Sequence, residues 1–395
     1  MKINYGSYYV YKMLVDGVNF TTPFIIIYLL RYVSMGQIIL LNALQFMVVA
    51  LLEIPSGAFA DVIGRRESLM IGAIVGGFST LSFLVGDSFV FFLIAYFFAG
   101  LSTVLISGSY EPLLYTSLEK KKEVGKATKI FGRTEEFALK ISDLTFLVGS
   151  GLAALNLRFV FLAELLKWPL IFLVSRRMPK NRKKFKKNFK PYYLRIRSTA
   201  AFLSERKSLT FVIVIAAIIL SIFTVTSQYH QPLMSAAGIN VAFFGIIYVI
   251  FNQARSFSTR LAYLLEASLT PKQILLVTMA VKGFALVSLS IFVSPIAVIL
   301  LLLTKIGVEG FRKPFFTSYL NKVSPTQNRS TILSFSSFVH SLSFIFLSVI
   351  FKLLTDSFSM YLAIFVSGVS LLLLFPLFKI KSFDLEVHTK ISKKS

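Results

Sequence analysis

The stretch Gly57-Ala58-Phe59-Ala60-Asp61-Val62-Ile63-Gly64-Arg65-Arg66 lies between two long apolar runs, at about 35–56 and 68–86. Each run is close to the ~20 residues that a helix needs to cross a bilayer. The stretch therefore predicts a tight turn between two membrane-spanning helices, and its two glycines favour close helix approach and unusual backbone angles. The arginine pair at its end places this turn on the cytoplasmic side of the membrane by the positive-inside rule.

The composition of the whole chain is typical of a membrane protein. Its 395 residues are 55% hydrophobic and include 41 Phe, whereas soluble proteins average about 45–50% apolar residues. A membrane barrel would show ~10-residue segments of alternating hydrophobicity. No sustained alternation of that kind occurs, so the expected fold class is an all-α integral membrane protein. The first apolar run is too long for a cleavable signal peptide and is expected to be the first span.

Several function classes are excluded by what the sequence lacks. The chain contains no Cys, which excludes disulfides and thiolate chemistry. A net charge of +24 would suggest nucleic acid in a soluble chain. Here the charges fall in predicted cytoplasmic loops, so no nucleic-acid partner is expected. Neither a phosphate-binding loop nor a metal-binding motif is present, and we therefore expect no cofactor, no metal and no enzyme activity.

About twelve apolar segments are long enough to be spans. They are 7–30, 35–56, 68–86, 89–117, 127–150, 156–176, 208–231, 238–264, 273–292, 296–321, 329–353 and 358–379. With the N-terminus inside, nearly all Lys and Arg residues outside these segments fall on one side of the membrane. This asymmetry predicts a multi-pass protein of the bacterial cytoplasmic membrane with both termini in the cytoplasm.

A basic stretch divides the predicted spans evenly. We expect an N-terminal six-helix bundle at 1–175, a basic cytoplasmic linker at 176–207, a C-terminal six-helix bundle at 208–382 and a cytoplasmic tail at 383–395. The linker is expected to contact anionic lipids of the inner leaflet, with each Lys or Arg contributing on the order of 1 kcal/mol. A regulatory or partner-binding surface is the alternative role of the linker.

The stretch at 57–66 also resembles the signature loop that follows the second helix of the major facilitator superfamily, G-x-x-x-D-(basic)-x-G-R-(basic). The matching residues are Gly57, Asp61, Gly64, Arg65 and Arg66. Val62 departs from the pattern, which usually has a basic residue there. The resemblance implies a transporter with two six-helix bundles, a substrate site between them and alternating access. It also implies that the aspartate and the arginines form a cytoplasmic gate that latches the two halves.

Three carboxyl groups inside predicted spans are candidates for proton coupling, namely Asp16, Glu111 and Asp143. An ionisable residue in a span is costly and is by default a functional candidate. A proton and a cationic substrate compete for such a carboxylate, which couples their movements. Asp16 is favoured because first-span acids have this role in many proton-coupled members of the superfamily that the chain resembles. The alternatives are a structural hydrogen bond for Asp16 and a local ion pair with Lys140 for Asp143.

Four polar residues are candidates for binding the solute, namely Asn19, Tyr229, His230 and Arg255. Asn19 follows the favoured acid by one turn in the first span. Tyr229 and His230 belong to a polar cluster near the outer end of the seventh span, where the alternatives are an aromatic-belt Tyr and a partly wet His. Arg255 would favour an anionic or zwitterionic solute if it faces the cavity, against the cationic solute that the first-span acid suggests.

The sequence as a whole is interpreted as a secondary transporter, a monomer that moves a small organic solute by alternating access. The acids of the first half and the resemblance to bacterial drug exporters favour proton-coupled efflux of amphipathic compounds. The span-five motif of those exporters is present only as the fragment Val148-Gly149-Ser150-Gly151. The nearest alternative is an importer or exporter of a metabolite or natural product. A non-transporting membrane sensor or scaffold is the hypothesis from a different class, and solute flux in proteoliposomes separates it from a transporter.

Overall fold

A computed structural model describes the chain as a series of helices that follows the predicted spans. The described residues are 6–123, 127–180, 207–265, 271–323 and 329–375. Within these ranges the secondary structure is helical throughout and contains no β-strand.

The helices are numbered here in chain order. The first half forms α1 (Gly6–Lys12), a π-helix (Met13–Gly17), α2 (Ile25–Leu29), α3 (Met35–Ile63), α4 (Arg65–Val85), α5 (Phe89–Lys120), α6 (Ala127–Leu155), α7 (Leu157–Leu165) and α8 (Lys167–Arg177). The second half forms α9 (Lys207–Ser227), α10 (His230–Ala236), a 3₁₀-helix (Val241–Phe243), α11 (Phe244–Leu265), α12 (Pro271–Ile291), α13 (Pro295–Val323), α14 (Arg329–Ser357) and α15 (Met360–Leu373).

Eight helical segments within the described ranges are long and apolar enough to cross a membrane. They coincide with the second to fifth, the seventh to ninth and the eleventh predicted spans. The other predicted spans correspond to the interrupted region of α1 and α2, to α7 followed by α8, to α13, and to the shorter apolar helix α15. The all-α membrane fold expected from the sequence is confirmed.

The stretch at 57–66 is mostly helical, although its sequence predicts a turn. Helix α3 continues to Ile63, and the break is confined to Gly64, which has a φ of 109° and a ψ of 137°. Residues with a Cβ atom avoid that backbone region, so the junction between α3 and α4 requires a glycine. Gly57 lies inside α3.

Contacts between residues divide the chain into two compact units. The first unit comprises Met1–Lys187 and Met234–Asn252, and the second comprises Asn188–Leu233 and Gln253–Ser395. The domain boundaries expected from the sequence stay a prediction. Residues 181–206 of the basic linker and the tail at 383–395 lie outside the described residues, so lipid contact by the linker stays a prediction as well.

Close helix packing holds each unit together. In the first unit α5 packs against both α3 and α4, and in the second unit α12 packs against both α13 and α15. At the crossing of α12 and α15, a Cβ atom on Gly368 would lie 2.7 Å from the carbonyl oxygen of Gly283. Small residues at such crossings let helices approach closely, which stabilises helix pairs in lipid where the hydrophobic effect is weak.

Candidate functional site

The first span is interrupted in its middle. After α1 the backbone widens into the π-helix, becomes extended at Val18 and resumes α-helical geometry only at Ile25. The Val18 N–H still donates to the Met13 carbonyl, but the carbonyl of Val18 and the N–H groups of Asn19 and Phe20 leave the helical hydrogen-bonding pattern. A bilayer offers no water to bind them, so other parts of the protein must supply their partners.

Two buried charged side chains of the sixth span bind this broken backbone. The carboxylate of Glu164 accepts a hydrogen bond of 2.7 Å from the backbone N–H of Phe20. The ammonium group of Lys167 donates to the backbone carbonyl of Val18 at 2.8 Å and forms an ion pair with Glu164. Both side chains are buried. The pair therefore binds the backbone on both sides of the break, and its two opposite charges neutralise each other.

Helix α6 supplies a further partner for the same backbone. The hydroxyl of Thr145 accepts a hydrogen bond from the backbone N–H of Asn19 at 3.2 Å and donates to the carbonyl of Gly17 at 3.1 Å. The side-chain oxygen of Asn19 accepts a hydrogen bond from Thr22 at 2.7 Å. Asn19 was expected to bind solute. Its backbone is held by Thr145 and its side chain by the hydroxyl of Thr22.

A cavity of about 460 Å³ lies beside the break in the first unit. Three residues expected from the sequence line it together, namely Asp16, Asn19 and Glu111. Lys167 and Trp168 at the start of α8 belong to the same wall. Small-molecule sites usually have volumes of about 300–1,000 Å³, so this cavity has the size and polarity of a site for one small solute.

Asp16 is paired within its own span. Its carboxylate lies 2.5 Å from the ammonium group of Lys12, one helical turn earlier, and that ammonium group also lies 2.9 Å from Glu135 of α6. Lys12 is mostly buried and stands over the ring of Tyr110, 5.6 Å from its centroid. The side chain of Asp16 is 40% exposed. The acid therefore faces the cavity while its counter-ion is shared with a second carboxylate.

Asp143 lies apart from this cavity wall. Its carboxylate accepts a hydrogen bond of 3.0 Å from the side-chain amide of Asn252, which belongs to the same unit. The expected local partner, Lys140, forms an ion pair of 3.0 Å with Glu136 on the exposed face of α6. The prediction of a Lys140–Asp143 pair is wrong, because the i,i+4 carboxylate is the nearer partner for Lys140 on that face.

The motif at the start of α4 ties three helices of the first unit together. The guanidinium group of Arg65 lies 3.2 Å from Asp61 at the end of α3 and donates to the carbonyl of Pro112 in α5 at 2.9 Å. Arg66 pairs with its neighbour Glu67 at 3.0 Å. These contacts anchor the junction of α3 and α4 on α5. The latch between the two halves stays a prediction.

The candidates in the second unit differ in burial. Tyr229 is buried, and its hydroxyl lies 2.7 Å from that of Thr355 in α14. His230 is buried as well, so the expectation of a wet interfacial His is wrong; the side chain lies at the start of α10 and contacts Lys305 of α13. Arg255 is exposed on α11. A role for these three side chains in solute binding stays a prediction.

The site residues expected from the sequence do not include Lys12, Glu164 or Lys167. The i,i+4 spacing of Lys12 and Asp16 was a usable signal, since such pairs lie on one helix face. Glu164 and Lys167 are ionisable residues within the sixth predicted span. The cost of burying a charged side chain in the membrane applies to them as it does to Asp16. Their contact with the first span depends on tertiary structure and leaves no local pattern.

A comparison with family models identifies the superfamily. The model of the Major Facilitator Superfamily matches residues 12–346. The chain belongs to this superfamily. An uncharacterized MFS-type transporter of Bacillus subtilis (strain 168), YxaM, is 24% identical over an alignment of 401 positions that covers 94% of this chain and 95% of that protein.

Solved structures of the superfamily have the same fold. The nucleoside transporter NupG has a TM-score of 0.78 at 12% identity, covering 95% of this chain and 98% of its own. The inward-open xylose transporter XylE from E. coli has a TM-score of 0.64 at 14% identity, covering 93% and 94%. Membership of the Major Facilitator Superfamily makes this chain a multi-pass membrane transporter of small molecules and not an enzyme.

Proposed function

We propose that the protein carries a small organic metabolite with several hydrogen-bonding groups across a bacterial cytoplasmic membrane, coupled to protons. The observation that carries this proposal is the cavity beside the broken first span, where Asp16, Asn19, Glu111 and Lys167 meet. Interrupted spanning helices whose backbone borders a cavity are a common basis of solute sites in secondary transporters.

The chemistry of the cavity wall favours a polar solute. Two acids, two ammonium groups and the amides of Asn19 and Gln45 line it, together with aromatic rings such as those of Tyr110 and Trp168. An amphipathic drug would leave several of these polar groups without partners, and buried polar groups without partners oppose binding. The wall therefore supports the metabolite alternative more than the efflux of amphipathic compounds, whichever direction the solute moves.

The shared counter-ion of Asp16 supports proton coupling. Lys12 lies within ion-pair distance of both Asp16 and Glu135. A proton on Asp16 removes its attraction for the ammonium group, which then remains paired with Glu135. The cavity thereby gains a neutral carboxylic acid that can donate a hydrogen bond to the solute. Solute and proton occupancy of the site are linked through this exchange of partners.

Flux through proteoliposomes tests the proposal. A panel of nucleosides, pentoses, amino acids and amphipathic dyes is assayed with and without a pH gradient, in wild type, Asp16→Asn and Asp87→Asn. Asp87 is an exposed acid between α4 and α5 and serves as the matched control. We expect Asp16→Asn to abolish gradient-driven accumulation while exchange without a gradient persists, and Asp87→Asn to behave as wild type. Equal accumulation by wild type and Asp16→Asn would remove Asp16 from the coupling mechanism.

A further inference from the structure

Glu111 is an acid of the cavity wall without a partner in the described part of the chain. Its side chain is exposed and lines the cavity of the first unit, and no ion pair or hydrogen bond joins its carboxylate to another described residue. Ionised groups on spanning helices are costly and are found where they bind a partner or serve a transport pathway. An unpaired carboxylate in a cavity of this size therefore indicates a cation that enters from outside.

The other charges of the wall do not compensate this carboxylate. Lys167 is paired with Glu164, and Lys12 is shared between Asp16 at 2.5 Å and Glu135 at 2.9 Å. Together with the acid on α5, four carboxylates thus face two ammonium groups, which leaves two excess negative charges when all are ionised. One excess negative charge remains when Asp16 carries a proton.

Arg65 does not compensate Glu111 either, although both side chains border a second cavity of about 470 Å³. The guanidinium group of Arg65 lies 3.2 Å from the carboxylate of Asp61. It also donates to the carbonyl of Pro112 at 2.9 Å and to the hydroxyl of Thr116 at 3.1 Å. Its charge and its donors are therefore directed to these three groups.

The carboxylate lies at one end of a stripe along α5. Residues at four-residue spacing line the cavity from this helix, namely Ala99, Thr103, Ser107 and Glu111. This spacing places them on one helix face, which spans roughly 18 Å at 1.5 Å per residue. A solute lying along this face meets hydroxyl groups over its length and a full negative charge at one end.

A second polar group of the same wall lacks a partner. Tyr11 of α1 is 1% exposed and lines the cavity, and its hydroxyl forms no hydrogen bond within the described residues. Its ring stacks on that of Tyr110, the chain neighbour of Glu111, with 5.3 Å between the centroids. Buried hydroxyl groups are hydrogen-bonded in the large majority of cases. An unpaired hydroxyl at a cavity wall therefore indicates a partner that enters the cavity.

We propose that the cavity of the first unit takes a solute with a protonated amino group, for which Glu111 is the counter-ion. This inference rests on the proposed transport function and narrows its solute to an organic amine. The ammonium group of the solute donates charge-assisted hydrogen bonds to the carboxylate, and the hydroxyl of Tyr11 binds a further polar group of the solute. Glu111, expected from the sequence to carry protons, is thereby assigned to solute binding, and proton coupling stays with Asp16.

Cysteine reactivity in the cavity measures the charge that a solute meets there. The chain contains no Cys, so Ser107→Cys gives a single thiol at the cavity wall, one helical turn from Glu111. The purified full-length protein in neutral detergent is treated with a cationic and an anionic methanethiosulfonate, the trimethylammonium-ethyl and the sulfonatoethyl reagent. The ratio of the two rates is divided by their ratio for free mercaptoethanol. The reactivity of the thiol itself cancels in this ratio because it affects both reagents alike.

We expect the corrected ratio to favour the cation by about tenfold or more, since a cleft lined by one sign of charge concentrates the opposite ion. Glu111→Gln in the same background should lower the ratio by about threefold or more, because a charge one turn away attracts one reagent and repels the other. Asp87→Asn is the matched control. This exposed acid precedes α5, about 27 Å from residue 107 along the helix, and about 0.1 M salt screens charges beyond ~10 Å.

Three results would overturn the site. A corrected ratio that does not favour the cation removes the excess negative charge. A thiol that neither reagent modifies shows that the cavity is closed to small ions. An unchanged ratio in Glu111→Gln assigns the negative charge to other groups.

Solute exchange in proteoliposomes separates solute binding by Glu111 from proton transfer. The solute panel is extended by amino sugars and amino alcohols. For the transported amine, Glu111→Gln should raise the half-saturating concentration by about tenfold or more, while a pH gradient still drives accumulation, and Glu111→Asp should restore most of the affinity. A proton carrier predicts the reverse, a loss of accumulation at unchanged affinity.

Tyr11→Phe tests the second contact. It should raise the half-saturating concentration by roughly two- to tenfold, the effect of one hydrogen bond, and leave the ratio of thiol rates unchanged because no charge is removed. Unchanged affinity would exclude the hydroxyl from the site.

The amine site and the transport proposal fail in different experiments. Flux of a neutral solute by a protein whose cavity does not favour the cationic reagent contradicts the amine site alone. A preference for the cationic reagent without flux of any solute contradicts the transport proposal alone.

Discussion

A Cβ atom at Gly76 would fall within the indole ring of Trp168, which is fixed by a hydrogen bond of 2.7 Å from its Nε1–H to Thr80. Both Gly76 and Trp168 line the cavity of the first unit. We therefore expect Gly76→Ala to displace the ring and to cost about 1–3 kcal/mol of stability, the usual penalty of overpacking. Gly77→Ala is the matched control, because its Cβ would meet the side chain of Trp168 at an ordinary 3.6 Å.

Fluorescence gives a direct reading of this substitution, since the chain contains a single Trp. Gly76→Ala should shift the emission of Trp168 and lower the melting temperature, whereas Gly77→Ala should leave both near wild type. Identical emission spectra for the two variants would contradict this prediction, because the indole ring would then accommodate the added methyl group of Gly76→Ala without moving.

Residue-level function is only partly readable from the sequence. Asp16, Asn19 and Glu111 were expected from their place inside predicted spans, and they do line one cavity. The pairing of Lys12 with Asp16 follows a local rule of helix spacing. The contact of Glu164 with the backbone of Phe20 does not, because it joins spans that are remote in sequence and depends on where the first span breaks.

At the scale of elements, the Glu164–Lys167 pair joins the sixth span to the broken first span. Removing one member of a buried pair typically costs about 3–5 kcal/mol, because the other charge is left uncompensated, whereas replacing both costs much less. We expect Glu164→Gln and Lys167→Met each to lower the melting temperature strongly. The double variant should melt above the Lys167→Met variant.

The exposed pair of Glu136 and Lys140 is the control for that cycle. Their side chains are 55% and 66% exposed, and exposed pairs contribute roughly 0–1 kcal/mol. Glu136→Gln and Lys140→Met should therefore change the melting temperature little, alone or together. If the decreases in melting temperature of the two single variants at Glu164 and Lys167 add up to that of the double variant, the two side chains act independently on the first span.

The interruption of the first span could not be located from hydropathy. An average over some twenty residues records that a segment is apolar enough to cross the membrane but not where its helix breaks. In the first span, Asn19 and Pro23 are local signals of a break, yet the π-helix before them has no such marker. The break persists because distant side chains bind the freed backbone, and those contacts depend on tertiary structure.

At the scale of the whole molecule, the sequence predicts more of the structure than it does at the scale of residues or elements. Apolar length predicts the order of the spans, and the described helices follow it from α1 to α15. Physical rules acting on every span, namely the length of the bilayer core and the cost of charge within it, explain this success. Which side of the membrane each loop occupies rests on the distribution of Lys and Arg alone.

Cysteine labelling tests that orientation, and the absence of Cys from the chain provides an unlabelled background. Ser88 and Lys120 are exposed residues at opposite ends of α5. With both termini in the cytoplasm, Ser88→Cys should react with a membrane-impermeant maleimide in intact cells, and Lys120→Cys should react only after permeabilisation. Successive spans alternate in direction, so the side of one span determines the side of all. Labelling of Lys120→Cys in intact cells would therefore reverse the assignment of every loop and overturn the cytoplasmic position of the gate motif at 57–66.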